Sequence, residues 1–191
     1  MPCFEKFLNE NNLKSRGQIS KGWTSCIYLV ENYCRQRFAI KVLREKSNRK
    51  QMAKHEAENL GLANSAGVGP KLICFDLEKN IVMMEFIDGT PFCDWIAASP
   101  SKGELEKFIE ALYSQARALD KIGLDHGQLA GRGKNILVRN GLPVIIDFEK
   151  ASSVRKCHNV KVLDSFLFRS RESAVVKKIA GILGDLHKTL K

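Results

Sequence analysis

The pattern of apolar and polar positions divides the chain into a strand-rich part and a helical part. "CIYLVEN" (residues 26–32) and "RQRFAIKVLR" (35–44) are β-branched and aromatic runs about a short polar turn, which predicts an antiparallel pair, and "RGQIS" before them supplies one more strand. The spacing then turns helical over "NRKQMAKHEAENLGLANSA" (48–66), with Asn48 as N-cap and Gly67 as stop. "KLICFDL" and "NIVMMEFI" return to strand character. The first ninety residues therefore predict a small sheet with one helix inserted.

After "DGTPF" the grammar changes. Ser101 and Glu104 form an S-x-x-E capping box, Leu105, Phe108, Ile109, Leu112, Ala116 and Leu119 follow at helical spacing, and Gly123 closes the helix. "NILVRNGLPVIIDFE" reads as two short strands about an Asn140-Gly141 turn, a dipeptide suited to the positive φ angles of a tight hairpin. The remainder reads as helical, with Val175, Ile179, Leu183, Leu186 and Leu190 on one stripe.

Composition narrows the class. A chain of 191 residues with 44% hydrophobic and 27% charged residues is long enough to bury a core without disulfides or metals. Its six cysteines (Cys3, Cys26, Cys34, Cys74, Cys93, Cys157) show no C-x-x-C and read as buried thiols of a reducing cytoplasm. No apolar run approaches the roughly 20 residues of a membrane span, and the N-terminal stretch is too polar for a signal peptide, so a soluble, cytoplasmic protein with no membrane partner is expected. The net charge of +10 suits a polyanionic partner, either nucleotide phosphates or RNA and ribonucleoprotein, and equally suits a solvated basic surface.

Two constellations carry chemistry. Strand alternation in "FAIKVL" puts Lys41 on the face of Ala39 and Leu43, and an ammonium drawn into that half-buried surface needs a negative partner. Glu56 stands four residues from both Met52 and Leu60, on the apolar face of the predicted helix, whereas Glu58 is turned about 200° away toward solvent. Glu56 is the expected partner. In the hairpin, Asn135 and Asp147 lie nearly symmetrically about Asn140-Gly141, so antiparallel pairing brings both to the same end. A carboxylate and an amide oxygen side by side suit Mg²⁺, which keeps waters and takes further ligands from phosphates.

In this order the residues resemble a protein kinase. "FAIK" is similar to the strand bearing the ATP-binding lysine, Glu56 to its helix partner, "MMEFIDG" to the hinge that meets adenine, "KNILV" to the end of the catalytic loop, and "IDFEKA" to the metal-binding D-F-G with Glu149 in place of Gly. The resemblance is to the minimal atypical kinases: the RIO kinases, the small kinase of the tRNA-threonylcarbamoylation complex and small archaeal putative serine/threonine kinases. It implies an α+β, reduced, bilobal protein-kinase-like fold, with a small antiparallel-sheet N-lobe over about 1–87, a hinge over about 85–91 and a short helical C-lobe over about 92–191, as one domain. It also implies ATP and Mg²⁺. Gly22 would approach the phosphates, Lys41 would hold them, Glu56 would orient Lys41, and Glu85, Phe86 and Ile87 would meet adenine. Asn135 and Asp147 would bind the metal.

The departures qualify this. "ISKGWTSCIYLV" has Gly22 but no G-x-G-x-x-G; neither the Gly17–Gly22 spacing nor Gly133-Lys134 completes a Walker motif. No A-P-E follows Glu149, so the usual peptide-binding platform is not expected. "HGQLAGRGKN" carries Gln128 where the catalytic Asp belongs, to position an acceptor hydroxyl or water, with Asp125, the only nearby acid, as the alternative base; Arg132 and Lys134 either place charge near a γ-phosphate or solvate the loop. The expected function is Mg-ATP-dependent phosphotransfer resembling an atypical serine/threonine kinase, or mainly ATP hydrolysis, with an unknown protein or ribonucleoprotein acceptor. The alternative is a pseudokinase, a nucleotide-binding partner module on RNA or ribonucleoprotein.

Overall fold

The structure, a computed structural model, describes residues 2–44, 47, 51–170 and 173–184. Its first half is an antiparallel sheet of five strands, β1 (Lys14–Lys21), β2 (Ser25–Glu31), β3 (Arg37–Leu43), β4 (Leu72–Asp76) and β5 (Ile81–Glu85), in the order β1-β2-β3-β5-β4. Central β3 pairs Lys41 with Ile27 on one side and Val82 on the other. One face of this sheet packs against helix α2 (Met52–Ser65), whose start falls later than expected; Asn48, the expected cap, lies outside the described residues.

A second helix, which the reading of one inserted helix omitted, covers the opposite face. α1 (Pro2–Glu10) places Phe4, Phe7 and Leu8 on one side, where they pack with Val30, Phe38, Ile40, Val42, Ile81 and Met83. Central strands are thereby buried on both faces, so β3 is buried at five consecutive positions instead of alternating.

The second half begins with β6 (Thr90–Pro91), α3 (Phe92–Ala97) and the long α4 (Lys102–Lys121). Both arms of the Ser101–Glu104 capping box are formed. The hairpin β7 (Ile136–Arg139) and β8 (Leu142–Ile145) turns at Asn140 (φ 53°) and Gly141 (φ 77°), the left-handed pair that a two-residue turn requires. The stretch after it is less helical than expected. A single 3₁₀ turn at Phe148–Lys150 and an irregular segment lead to α5 (Asn159–Asp164), a π-helical turn (Ser165–Arg169) and α6 (Ala174–Leu183). Ile179 and Leu183 are buried as the stripe predicts, whereas Leu186 and Leu190 lie outside the described residues.

One apolar core runs behind both halves, from Ala39, Leu60 and Met84 through Phe148 to Leu112, Leu163 and Ile179. The cysteines depart from expectation: Cys26 is buried, but Cys3 and Cys34 are exposed because one sits on the outer side of α1 and the other in the β2–β3 turn. No helix among the described residues is long and apolar enough to cross a membrane.

Candidate active site

A cleft of about 620 Å³ lies between the sheet and the hairpin, and Gly22, Lys41, Glu56, Glu85, Phe86, Ile87, Gln128, Asn135 and Asp147 all line it. Asp125 is the one predicted site residue it does not include.

Lys41 is the centre. Its Nζ lies 2.6 Å from Glu56 Oε2, 2.6 Å from Asp147 Oδ1 and 3.3 Å from Glu149 Oε2. Burial works against the ammonium, but Glu56 and Asp147 outweigh it and raise the Lys41 pKa. Burial likewise opposes ionisation of Asp147, yet Lys41 beside it holds that carboxyl below its ordinary value. Glu56, the most enclosed of the three, is pushed up by burial against the pull of Lys41. Its other oxygen accepts from the Phe148 N–H at 3.1 Å, which ties α2 to the loop carrying Asp147. Asn59 strengthens that tie by donating to the Phe148 and Ala151 carbonyls. Glu58 is exposed, as the helical spacing requires.

The hairpin register pairs Ile136 with Ile145, and the Ile146 N–H donates to the Asn135 carbonyl at 2.9 Å, so Asn135 stands one step from Asp147. Asp147 itself adopts φ 66°, ψ 72°, a left-handed conformation that few non-glycine residues take. The Asn135 amide nitrogen donates to the Gln128 carbonyl at 2.9 Å, which leaves its side-chain oxygen as the atom available to a cation. Donors that are all oxygen, one of them a carboxylate, fit the hard Mg²⁺ ion.

The roof is a turn at residues 22–24. The Gly22 N–H donates to the Ser25 carbonyl at 2.8 Å, and Arg44 Nη1 holds the carbonyls of Gly22 and Trp23 at 3.0 and 3.2 Å. The opposite wall, at 85–87, is held by Glu85, whose carboxylate accepts from Arg139 and from the Lys71 N–H. Glu85's own N–H donates to the Lys71 carbonyl, so a ligand there would meet other backbone groups of this wall.

A family model described as a RIO domain matches residues 18–165. The chain belongs to the RIO-domain family. Among solved structures, this RIO domain is similar to the Rio2 kinase–ADP/Mg²⁺–phosphoaspartate complex from Chaetomium thermophilum, with 18% identity over 96% of this chain and 66% of that one, at a TM-score of 0.67. It is also similar to the autoinhibited serine kinase domain of the giant muscle protein titin, with 16% identity over 75% of this chain and 47% of that one, at a TM-score of 0.59. At those identities the likeness carries the reduced, bilobal protein-kinase-like α+β fold, and the chain spans just under two thirds of the Rio2 structure. No curated protein matches the chain.

Within the RIO domain, the loop bearing Gln128 is built around His126. This fully buried ring meets the Ile146 carbonyl through Nε2 at 3.0 Å and the Gln128 N–H through Nδ1 at 3.4 Å, an arrangement suited by the neutral tautomer with its proton on Nε2. Burial lowers its pKa below the ordinary 6.5. The unfolded chain therefore takes up the proton first, and stability is lost as pH falls through about 6.5 and below. A urea midpoint that declines over that range, with a shallower decline in His126→Gln, is the expected result.

Asp125 lies in a separate cavity beside the loop. Its carboxylate accepts from Arg155 Nε at 2.5 Å, and its backbone pairs with Ser152. Arg155 also donates to the Lys150 carbonyl, and it passes so close to Gly127 (φ +74°) that a Cβ there would stand 2.3 Å from Nη2. Nothing in the order of residues pointed to Arg155. Glu149 and Thr24 were also missed as site residues, although the departure from D-F-G marked the first of them. Lys134 lines the cleft, while the side chain of Arg132 lies outside the described residues.

Proposed function

We propose that the protein is a Mg-ATP-dependent phosphotransferase whose centre is the Lys41–Glu56–Asp147 cluster. The observation that carries this reading is one buried ammonium gripped by a helix carboxylate and a hairpin carboxylate in the lining of a nucleotide-sized cleft. With nucleotide bound, Lys41 turns its charge to the phosphates, Glu56 keeps it in place, and the wall at Glu85, Phe86 and Ile87 meets the base. Asp147 and Asn135 would hold the metal, which would neutralise phosphate charge when bound. Gln128, at the junction of the cleft with the cavity beside it, orients a water or an acceptor hydroxyl.

The Rio2 complex contains a phosphoaspartate. Asp147 is the one aspartate lining this cleft among the described residues, but its carboxylate is engaged by Lys41 and assigned to the metal, and Glu56, Glu85 and Glu149 line the same cleft, so that phosphoaspartate is not carried over to Asp147.

The test is thermal melting with a nonhydrolysable ATP analogue, with and without magnesium, alongside γ-phosphate labelling. A magnesium-dependent rise in Tm is expected, because a ligand that binds only the folded state stabilises it. Asp147→Asn should lose both that rise and γ-phosphate transfer. An unchanged rise in the variant removes Asp147 from the metal site.

A further inference from the structure

Glu149 stands where the protein-kinase D-F-G carries glycine, a residue without a side chain, and its carboxylate bridges the cleft. Its side chain is 8% exposed, Oε2 stands 3.3 Å from Lys41 Nζ, and the same oxygen accepts from Thr24 Oγ1 at 3.2 Å. Thr24 belongs to the roof turn and Glu149 to the floor, so one carboxylate touches both the roof and the lysine that a nucleotide must reach. Oxygens of Glu56, Asp147 and Glu149 all lie within 4.8 Å of one another. Three carboxylates thus gather at the Lys41 ammonium, while Lys134 and Lys150 also line the cleft.

We propose that Glu149 makes the cleft discriminate between magnesium-bound and free nucleotide. The inference rests on the nucleotide reading of the cleft and adds a specificity-determining residue to it. A free polyphosphate brings only negative charge toward Glu149, in a partly buried site where like charges a few ångströms apart are screened far less than in water. It must also displace Glu149 from Lys41. A magnesium-bound nucleotide brings cationic charge with its phosphates, which offsets the displaced carboxylate. Glycine at this position would impose no such filter.

Calorimetric titration with a nonhydrolysable ATP analogue, in magnesium and in chelator, reads this directly. Glu149→Gln removes the charge and keeps an oxygen for Thr24; it should tighten binding in chelator roughly tenfold while changing the magnesium-bound affinity little. Thr24→Val removes the hydroxyl and keeps the charge, so its ratio of the two affinities should stay at the parental value. A merely structural role for Glu149 would shift both affinities together. If Glu149→Gln instead weakens magnesium-bound binding and leaves chelator binding unchanged, Glu149 is a metal ligand and the filter is overturned. A parental ratio retained in Glu149→Gln overturns it equally. If the parent binds in neither condition, the nucleotide reading falls and takes the filter with it.

Discussion

Lys41→Ala is expected to abolish the analogue-induced rise in Tm and to lower the stability of the unliganded protein by about 3–5 kcal/mol, the usual cost of removing one partner from a buried ion pair. Both effects have one cause. Lys41 and Glu56 are 4% and 1% exposed, and deleting the ammonium leaves Glu56, Asp147 and Glu149 facing one another with no cation between them. Some of the cost returns if a carboxyl takes up a proton, and Glu56, already pushed up by burial, is the group to do so. The destabilisation should therefore shrink as pH falls toward 5, whereas the loss of nucleotide response should not. Glu58→Ala, on the exposed side of the same helix, should stay within about 0.5 kcal/mol of the parent. A Lys41→Ala protein that melts like the parent and still responds to the analogue would remove the cluster from the function.

How far this centre was legible follows from the kind of rule each residue obeys. Lys41 and Glu56 were visible because strand alternation and helical spacing state which way a side chain points, and a buried cation demands a partner. The convergence of Asn135 and Asp147 was visible because Asn140-Gly141 fixes the turn and the turn fixes the register. Contacts between distant loops obey no period. Glu149 reaches Thr24 across 125 residues and Arg155 reaches Asp125 across 30, so the acid beside His126 was recognised by type while its cation was not. Helix α1 escaped for another reason. Its apolar side is only Phe4, Phe7 and Leu8 among charged neighbours, and a polar nine-residue stretch owes its helix to the sheet face it covers, not to propensity.

Gln128→Asp is expected to raise γ-phosphate release or transfer by an amount within the roughly 10²–10⁴ associated with general-base catalysis, where chemistry limits turnover and an acceptor is bound. A glutamine cannot take a proton, so the parent works by alignment and charge neutralisation, which a loose phosphoryl-transfer transition state needs more than a strong base. The geometry suits the exchange. Gln128 is held through its backbone, its carbonyl accepting from Asn135 and its N–H meeting His126, so an Asp side chain inherits the same mooring. Gln128→Ala should lower turnover and leave analogue affinity largely intact, because Gln128 is hydrogen-bonded through its backbone to Asn135 and His126, and not to Lys41. Asp125→Asn provides the contrast. Its carboxylate is engaged by Arg155 outside the cleft, so its loss should cost stability through that pair and leave turnover near the parental rate. If Asp125→Asn abolishes turnover while both Gln128 variants match the parent, Asp125 is the base. If neither the parent nor any variant turns over ATP, the cleft serves a nucleotide-binding module that has given up chemistry.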